Sequence, residues 1–361
     1  MLRAVMSVRR IIEAFESWRQ REENLVLATV YDTLGSTYTK AGHRILIAAN
    51  GDYQGLVSGG CLEGDLAERA RSVVDGGAPL AVTYDLRDDA DDLWGLGVGC
   101  NGLIRVFLQP LTAAGGYEPF TSIAVGLLGK APGAVATVIA SPRRDAPAGA
   151  TLVVGADGAV ACAWRLASGS SSEVALAAGC RRAQSTGRPE HVRDVDGFEA
   201  LYAPLTPVPR VLVLGAGLDA VPVVDFAADL GWFVTVADHR PAYLERGGFA
   251  KADCVIEVDP RELARRVSLD EFDAVVVMSH HLETDRTYLS QLVDVPARYL
   301  GVLGPPARRS RLLDLLGESG EALRPRLKGP VGLDLGADSP ESIALSIVAE
   351  LQGVFSKRPA R

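Results

Sequence analysis

Beyond residue 209 the chain alternates short Val-rich runs with helical stretches, and this alternation limits the fold more than any other feature. "RVLVLGAG" opens it, and "FVTVAD", "DCVIEVD", "DAVVVMS" and "YLGVLG" follow. Strands that read as continuous apolar runs are buried on both faces, and strands joined through helices run parallel. A parallel sheet with helices on both sides meets both conditions. The Pro-rich "APLTPVPR" at 203–210 directly precedes the first strand and places a boundary near residue 206, giving domains of 1–205 and 206–361.

The turn after the first strand sets Gly215, Gly217 and Ala220 at G-x-G-x-x-A spacing. The first glycine permits the turn, the second admits a phosphate to the backbone, and the small third residue lets helix and strand pack closely. Asp238 ends the next strand, where a carboxylate can accept ribose hydroxyls. This half therefore reads as a Rossmann-like parallel sheet with room for NAD(P) or another nucleotide. Asp219 in the first helical turn would repel a diphosphate unless it turns outward, and glycines that serve packing alone are the alternative.

Ligands of such sheets bind at the carboxyl ends of the strands. Ser279, His280 and Asp285 in "MSHHLETD" fall there, as do Gly301 and Gly304 in "YLGVLGPPARRSR". His280 is either a ligand contact or proton donor, or a residue that orders its loop. Arg308, with Arg309 and Arg311, either reaches an anion or forms a solvated helix face.

Upstream the chain repeats itself faintly, at an offset of about 108 residues. "LVLATV" echoes "AVATVI", "AGHRILIAANG" echoes "AGATLVVGADG", and "EGDLAERARSVVDGG" echoes "EVALAAGCRRAQSTG". Each copy reads as strand, loop, strand, glycine turn, strand and helix. The expected first half is an α+β domain of two weakly repeated units, about 20–115 and 120–200. The copies differ in their loops: only the first has "DTLGSTYTKAG" and "SGGCLEGD". Residues needed for folding alone should occur in both, so this asymmetry puts a site on the first unit.

Within "GLVSGGCLEGD", Ser58, Gly59 and Gly60 form a turn whose amide N–H groups can converge on an anion. Cys61 follows at a helix start, where the helix field favours thiolate over thiol. A small buried thiol filling a tight corner is the alternative. Cys100 occupies a second glycine-rich turn, "GLGVGCNG", and Asp32, Gly35 and Ser36 make a third short loop. Cys162, Cys180 and Cys254 lie in apolar or helical contexts that suit the core.

A net charge of −8 without a run of Lys or Arg argues against nucleic acid or an anionic membrane surface as partner. No apolar run is long enough to span a bilayer. The start is not patterned as a secretory signal; Ile11, Ile12, Phe15 and Trp18 instead mark the inner side of a helix. Five scattered cysteines fit reduced thiols in a cytoplasm, and no Cys/His pair has structural-zinc spacing. "SPESIALSIVAELQGVF" reads as a long helix capped by Ser339, either closing the sheet or forming a dimer interface.

Together, "ATVYDTLGSTYTKAG", "GLVSGGCLEGD", "GVGCNG", "VLVLGAG…VADHRP", "VVVMSHHLETD", "YLGVLGPPARR" and "VGLDLGADSPESIALSIVAEL" make the chain resemble the XdhC/CoxI family of xanthine dehydrogenase accessory proteins over nearly its whole length. The resemblance implies a factor that binds the molybdenum cofactor (molybdopterin), aids its sulfuration and delivers it to a molybdenum hydroxylase of xanthine or carbon monoxide dehydrogenase type. A cysteine desulfurase as sulfur source and a homodimer remain open on the partner side. The family's motifs fall on Gly59, Gly60, Cys61, Leu62 and Glu63, on Cys100, on Asp238 and Arg240, on His280, and on Pro330 to Asp334. Cys61 and Cys100 would handle sulfur or cofactor. The chain departs from the pattern at Leu218, Asn101 and "GPPARR". A carrier that turns nothing over is one reading, an NAD(P)-dependent oxidoreductase a second, and a thiol-based sulfur transferase a third.

Overall fold

The computed structural model describes residues 7–60, 62–87 and 102–356, in two units that divide between Pro207 and Val208. Strand β1 (Leu25–Gly35) shows how the first is layered. Leu25, Leu27 and Tyr31 enter one buried cluster, while Val26, Ala28 and Val30 enter another. A strand with period two and apolar residues on both faces must be covered on both sides.

Around β1 lies an antiparallel sheet ordered β3-β2-β1-β5-β4, with β2 at Arg44–Ala48, β3 at Tyr53–Gln54, β4 at Leu80–Asp85 and β5 at Gly102–Leu111. A second sheet follows from β6 (Gly133–Ala140), β7 (Thr151–Val154), β8 (Val160–Trp164), β9 (Glu190–Arg193) and β10 (Glu199–Leu205). Its order is β8-β7-β6-β10-β9, the same path through space. Helices α1 (Val8–Gln20) and α3 (Phe120–Leu128) precede the two sheets. Helices α2 (Glu63–Gly76) and α4 (Ser171–Thr186) follow their third strands. The weak sequence repeat is thus a structural duplication, and each copy adds two strands beyond the legible echo.

The copies share a core. Ile11, Ile12, Phe15 and Trp18 of α1 and Phe120, Ile123 and Leu127 of α3 pack with the inner faces of both sheets. Helix α2 covers the outer face of the first sheet and α4 that of the second.

The second unit is a six-stranded parallel sheet ordered β13-β12-β11-β14-β15-β16. Its strands are β11 (Arg210–Leu214), β12 (Phe233–Asp238), β13 (Cys254–Glu257), β14 (Ala274–Val277), β15 (Tyr299–Val302) and the short β16 (Leu327–Lys328). The chain enters mid-sheet at β11, runs out to β13, and returns beside β11 as β14. The strand order reverses there, which opens a crevice at the carboxyl ends of β11 and β14. Val211 and Val213 face one helical layer and Leu212 and Leu214 the other.

Helix α5 (Ala220–Asp229) opens from the glycine turn, and short α6 (Pro241–Glu245) and α7 (Leu263–Arg266) lie in later connections. Helices α8 (Leu282–Ser290), α9 (Pro306–Leu316) and α10 (Glu318–Leu323) complete one layer. Helix α11 (Pro340–Phe355) starts on a Ser339–Ser342 capping box, and its Ala344, Ile347, Val348 and Leu351 are buried against the sheet. This helix closes the sheet, the first of the two roles open in the sequence.

Cys180 is buried and Cys162 half-buried, but Cys254 is exposed, because β13 is an edge strand. No helix among the described residues is long and apolar enough to cross a membrane.

Candidate functional site

The glycine-rich loop of the first unit is organised around a carboxylate of its own. Glu63 is fully buried and accepts from the N–H of Val57 at 2.6 Å, of Ser58 at 2.9 Å and of Gly60 at 3.0 Å. The Ser58 hydroxyl donates to the same carboxylate at 2.9 Å and accepts from the Leu62 N–H at 2.8 Å. Burial alone would raise the Glu63 carboxyl, but the Ser58 and Val57 donors outweigh it and hold the group below its ordinary range. The amides do converge, as the sequence suggests, but upon Glu63. The anion that fits them is built into the chain, which corrects the expectation that they cradle a ligand phosphate.

Gly59 and Gly60 have φ of 82° and 118°, conformations that favour glycine. Among the described residues, a Cβ on Gly59 would meet only Tyr38, at 4.0 Å, and one on Gly60 would meet nothing within that distance. The glycines therefore serve backbone conformation. Cys61 follows directly in the chain; it and Cys100 lie outside the described residues.

Two further segments meet this loop. The Thr39 hydroxyl donates to the Val57 carbonyl at 2.8 Å, tying the 36–39 turn to the 57–60 turn. Gly35 ends β1 with φ 74° and pairs with Gly102, whose Cβ position lies 2.4 Å from the Ser36 carbonyl oxygen. Thr39 and Tyr38 thus join the turn after Gly35 and Ser36 to the loop of Ser58, Gly59, Gly60 and Glu63. Leu34 and Tyr38 beside them are more than half exposed. Asp32 is not a loop residue: it lies within β1 and accepts from Arg105 at 2.8 Å. In the second repeat, α4 has an ordinary cap instead, with Ser170 accepting from the Glu173 N–H.

At the carboxyl ends of β11, β12, β14 and β15, the second unit brings together the residues its sequence singled out. Asp238 is fully buried. It accepts from the Ala216 N–H at 2.7 Å, the Arg240 N–H at 2.9 Å, and the Arg240 guanidinium at 2.9 and 2.8 Å. Burial alone would raise its carboxyl, and the Arg240 contacts and Ala216 N–H more than offset that, so it is held low. The role expected for Asp238, accepting ribose hydroxyls, is taken by Arg240 and the glycine-turn backbone.

Gly215, with φ 122°, lies so near the Met278 backbone that a Cβ would sit 2.6 Å from it. His280 adopts the left-handed φ of 64°, unusual for a side chain with a Cβ. Its Nε2 lies 2.8 Å from Asp219 Oδ2, and both side chains border the Cβ position of Gly217. Read along the chain, Asp219 and His280 have separate roles; folding pairs them across the turn where a diphosphate would sit. Asp285, also buried, accepts from the Ser279 hydroxyl at 2.5 Å and Arg308 at 2.6 Å. Gly304 lies under Arg308, and Gly301 packs against Tyr299 and Val331. Arg309 donates to the Leu327 and Arg324 carbonyls, so two of the three clustered arginines are engaged internally. Tyr288 is buried among these groups with no partner for its hydroxyl. No cluster of His, Cys, Asp and Glu suited to a metal ion occurs among the described residues.

Family models match both units: "XdhC and CoxI family" over residues 18–85 and "XdhC Rossmann domain" over 211–351. A protein of Bacillus subtilis (strain 168), named as a probable subunit of xanthine dehydrogenase, is 33% identical over 91% of this chain and 93% of its own. The chain belongs to the XdhC and CoxI family. A second relative, the molybdenum cofactor insertion chaperone PaoD of Escherichia coli (strain K12), is 23% identical over 91% of this chain and 83% of its own. A crystal structure described as a xanthine dehydrogenase from Bacillus halodurans superimposes with TM-score 0.75, at 29% identity, over 97% of this chain and 96% of that one. The XdhC-type likeness therefore includes the fold of both units.

Proposed function

We propose that this protein assists maturation of a molybdenum hydroxylase of the xanthine dehydrogenase type, by binding the molybdenum cofactor as cargo and passing it to the client. The name of the Escherichia coli relative supports the maturation role, and that of the Bacillus subtilis relative supports a link to xanthine dehydrogenase. The observation that carries the reading is the Ser58–Gly60 turn. Four hydrogen bonds to Glu63 fix it, and none of the described residues stands within 4 Å of the Cβ position of Gly60, the residue preceding Cys61.

In this reading Cys61, with Cys100, meets the sulfur-bearing end of the cargo, and Glu63 positions the loop without touching it. Assistance with sulfuration, a cysteine desulfurase as sulfur source, and a homodimer as the working form belong to the same proposal. Its test is a Cys61→Ala and a Cys100→Ala protein, each assayed for molybdopterin affinity and for activation of a client apo-enzyme. We expect at least a tenfold loss of affinity for Cys61→Ala and a smaller loss for Cys100→Ala. Wild-type affinity and normal sulfuration in Cys61→Ala would remove the thiol's role.

NAD(P)-dependent oxidation is the second reading, favoured by the Gly215–Gly217 turn. Its diphosphate position faces the Asp219–His280 pair, and its ribose acceptor is engaged by Arg240. Both features weigh towards the carrier.

A further inference from the structure

We infer that the inner core of the first unit contains a binding site for a small monocarboxylate, with Arg44 as its polar end and α1 and α3 as its apolar walls. This site is separate from the glycine loop and does not rest on the cargo reading.

A cavity of about 80 Å³ is lined by Val8, Ile11, Phe120 and Leu127 together with Gly42, His43 and Arg44. Two buried polar atoms of these residues have no partner among the described residues: Nη2 of Arg44 and Nε2 of His43. Burial, with no charged neighbour among the described residues to offset it, brings the Arg44 guanidinium down to about 10. Thr29, the cross-strand neighbour of Arg44, also keeps a buried hydroxyl oxygen without a partner. Arg44 is partly buried as a whole, but its Nη2 is sealed from water, and a buried donor of a cation left without an acceptor is costly. The His43 ring is bonded to the Leu56 backbone, and burial lowers its pKa and favours the neutral form. With its other nitrogen donating to Leu56, the neutral ring presents Nε2 as an acceptor, so the carboxylate pairs with Arg44 and His43 lines the cavity without bonding it.

The duplication supplies an internal control. Register equates Arg44 with Thr151, since Thr29 pairs with Arg44 and Thr137 with Thr151. It likewise equates Gln109 with Ala203, which pair with Leu27 and Val135. In the second copy, Gln109 reaches across and donates to the Gly149 carbonyl at 2.9 Å and the Thr151 hydroxyl at 3.3 Å. In the first copy, Ala203 only touches Gly42, at 3.4 Å from its Cβ position. One location is filled by a polar side chain; its counterpart pairs a longer cation with a truncated neighbour. The ligand chemistry follows: one carboxylate to meet Arg44, and a short hydrocarbon tail for Val8, Ile11, Phe120 and Leu127. The volume is roughly that of two to three waters, which suits a chain of about three carbons.

The test titrates the full-length protein with sodium propionate, with sodium chloride at equal ionic strength and 1-propanol as controls, following heat and melting temperature. Saturable binding of propionate alone is expected, weakened at least tenfold in Arg44→Met and partly restored in Arg44→Lys. Contacts from the propionate methyl to Ile11 and Leu127 in NMR spectra would locate the ligand. Equal responses to propionate and chloride, binding of 1-propanol as tight as propionate, or wild-type affinity in Arg44→Met would each overturn the site. Should Arg44→Met not fold, the wild-type comparison of the three solutes still decides.

Discussion

The two glycine turns, Ser58–Gly60 and Gly215–Gly217, share a sequence logic and differ in what they enclose. Each precedes a helix, and each bonds backbone N–H to a buried carboxylate: Ser58 and Gly60 to Glu63 in one, Ala216 alone to Asp238 in the other. Glu63 is satisfied entirely by its own loop. Asp238 shares its charge with Arg240 and so joins two strand ends and a helix start. The Cβ position of Gly60 in the first turn meets none of the described residues; that of Gly217 in the second is bordered by the Asp219–His280 pair. Glycine spacing therefore reports backbone conformation, whereas the carboxylate that fills the turn decides what space is left for a ligand.

The largest expected effect is at Glu63. Replacement by Ala strands three loop N–H groups and the Ser58 hydroxyl, and should cost about 3–5 kcal/mol in thermal or denaturant unfolding. A loss below about 1 kcal/mol would mean that the loop does not depend on Glu63. Asp238→Asn keeps the shape but removes the charge opposite Arg240, and should cost about 2–3 kcal/mol.

The pair also predicts an acid response. Both carboxyls are held low in the folded protein, so protons bind the unfolded chain better. Their stabilisation is complete above the ordinary carboxylate pKa of about 4 and is lost as pH falls through the depressed folded values. Melting temperature should drop between about pH 5 and pH 3, less steeply in Glu63→Gln than in wild type. Parallel curves would show that other carboxylates dominate.

The smallest effect belongs to Asp219→Ala. His280 is more than half exposed, so loss of the pair should change stability by under about 1 kcal/mol. The informative readout is NADPH: if the pair lids the turn, the variant should bind it more tightly than wild type. Unchanged or weaker binding would show that the pair does not block the turn.

Legibility in the sequence followed the range of the forces involved. The parallel sheet was readable because burial on both faces writes itself as Val-rich runs such as "DAVVVMS". Helix α11 was readable because Ser339 and Pro340 mark its start and its apolar residues recur at helical spacing. The duplication was visible only as a faint echo, since the added strands β4, β5, β9 and β10 are held by pairing and need no common motif. Glu63 was legible as a motif residue but not as the hub of its loop, although a Glu in the first turn after Ser and Gly is a known signal for side-chain capture of free N–H groups. The Asp219–His280 and Asp285–Arg308 pairs were not legible at all: 61 and 23 residues separate their partners.

What the sequence determined by itself is the set of elements and the positions of the turns, because strand period, helix caps and glycine φ act over a few residues. Tertiary structure alone decided which charges are consumed. Asp238 met Arg240, Asp285 met Arg308, and Arg44 met no carboxylate among the described residues, because away from water the fate of a charge depends on the neighbour that folding brings beside it.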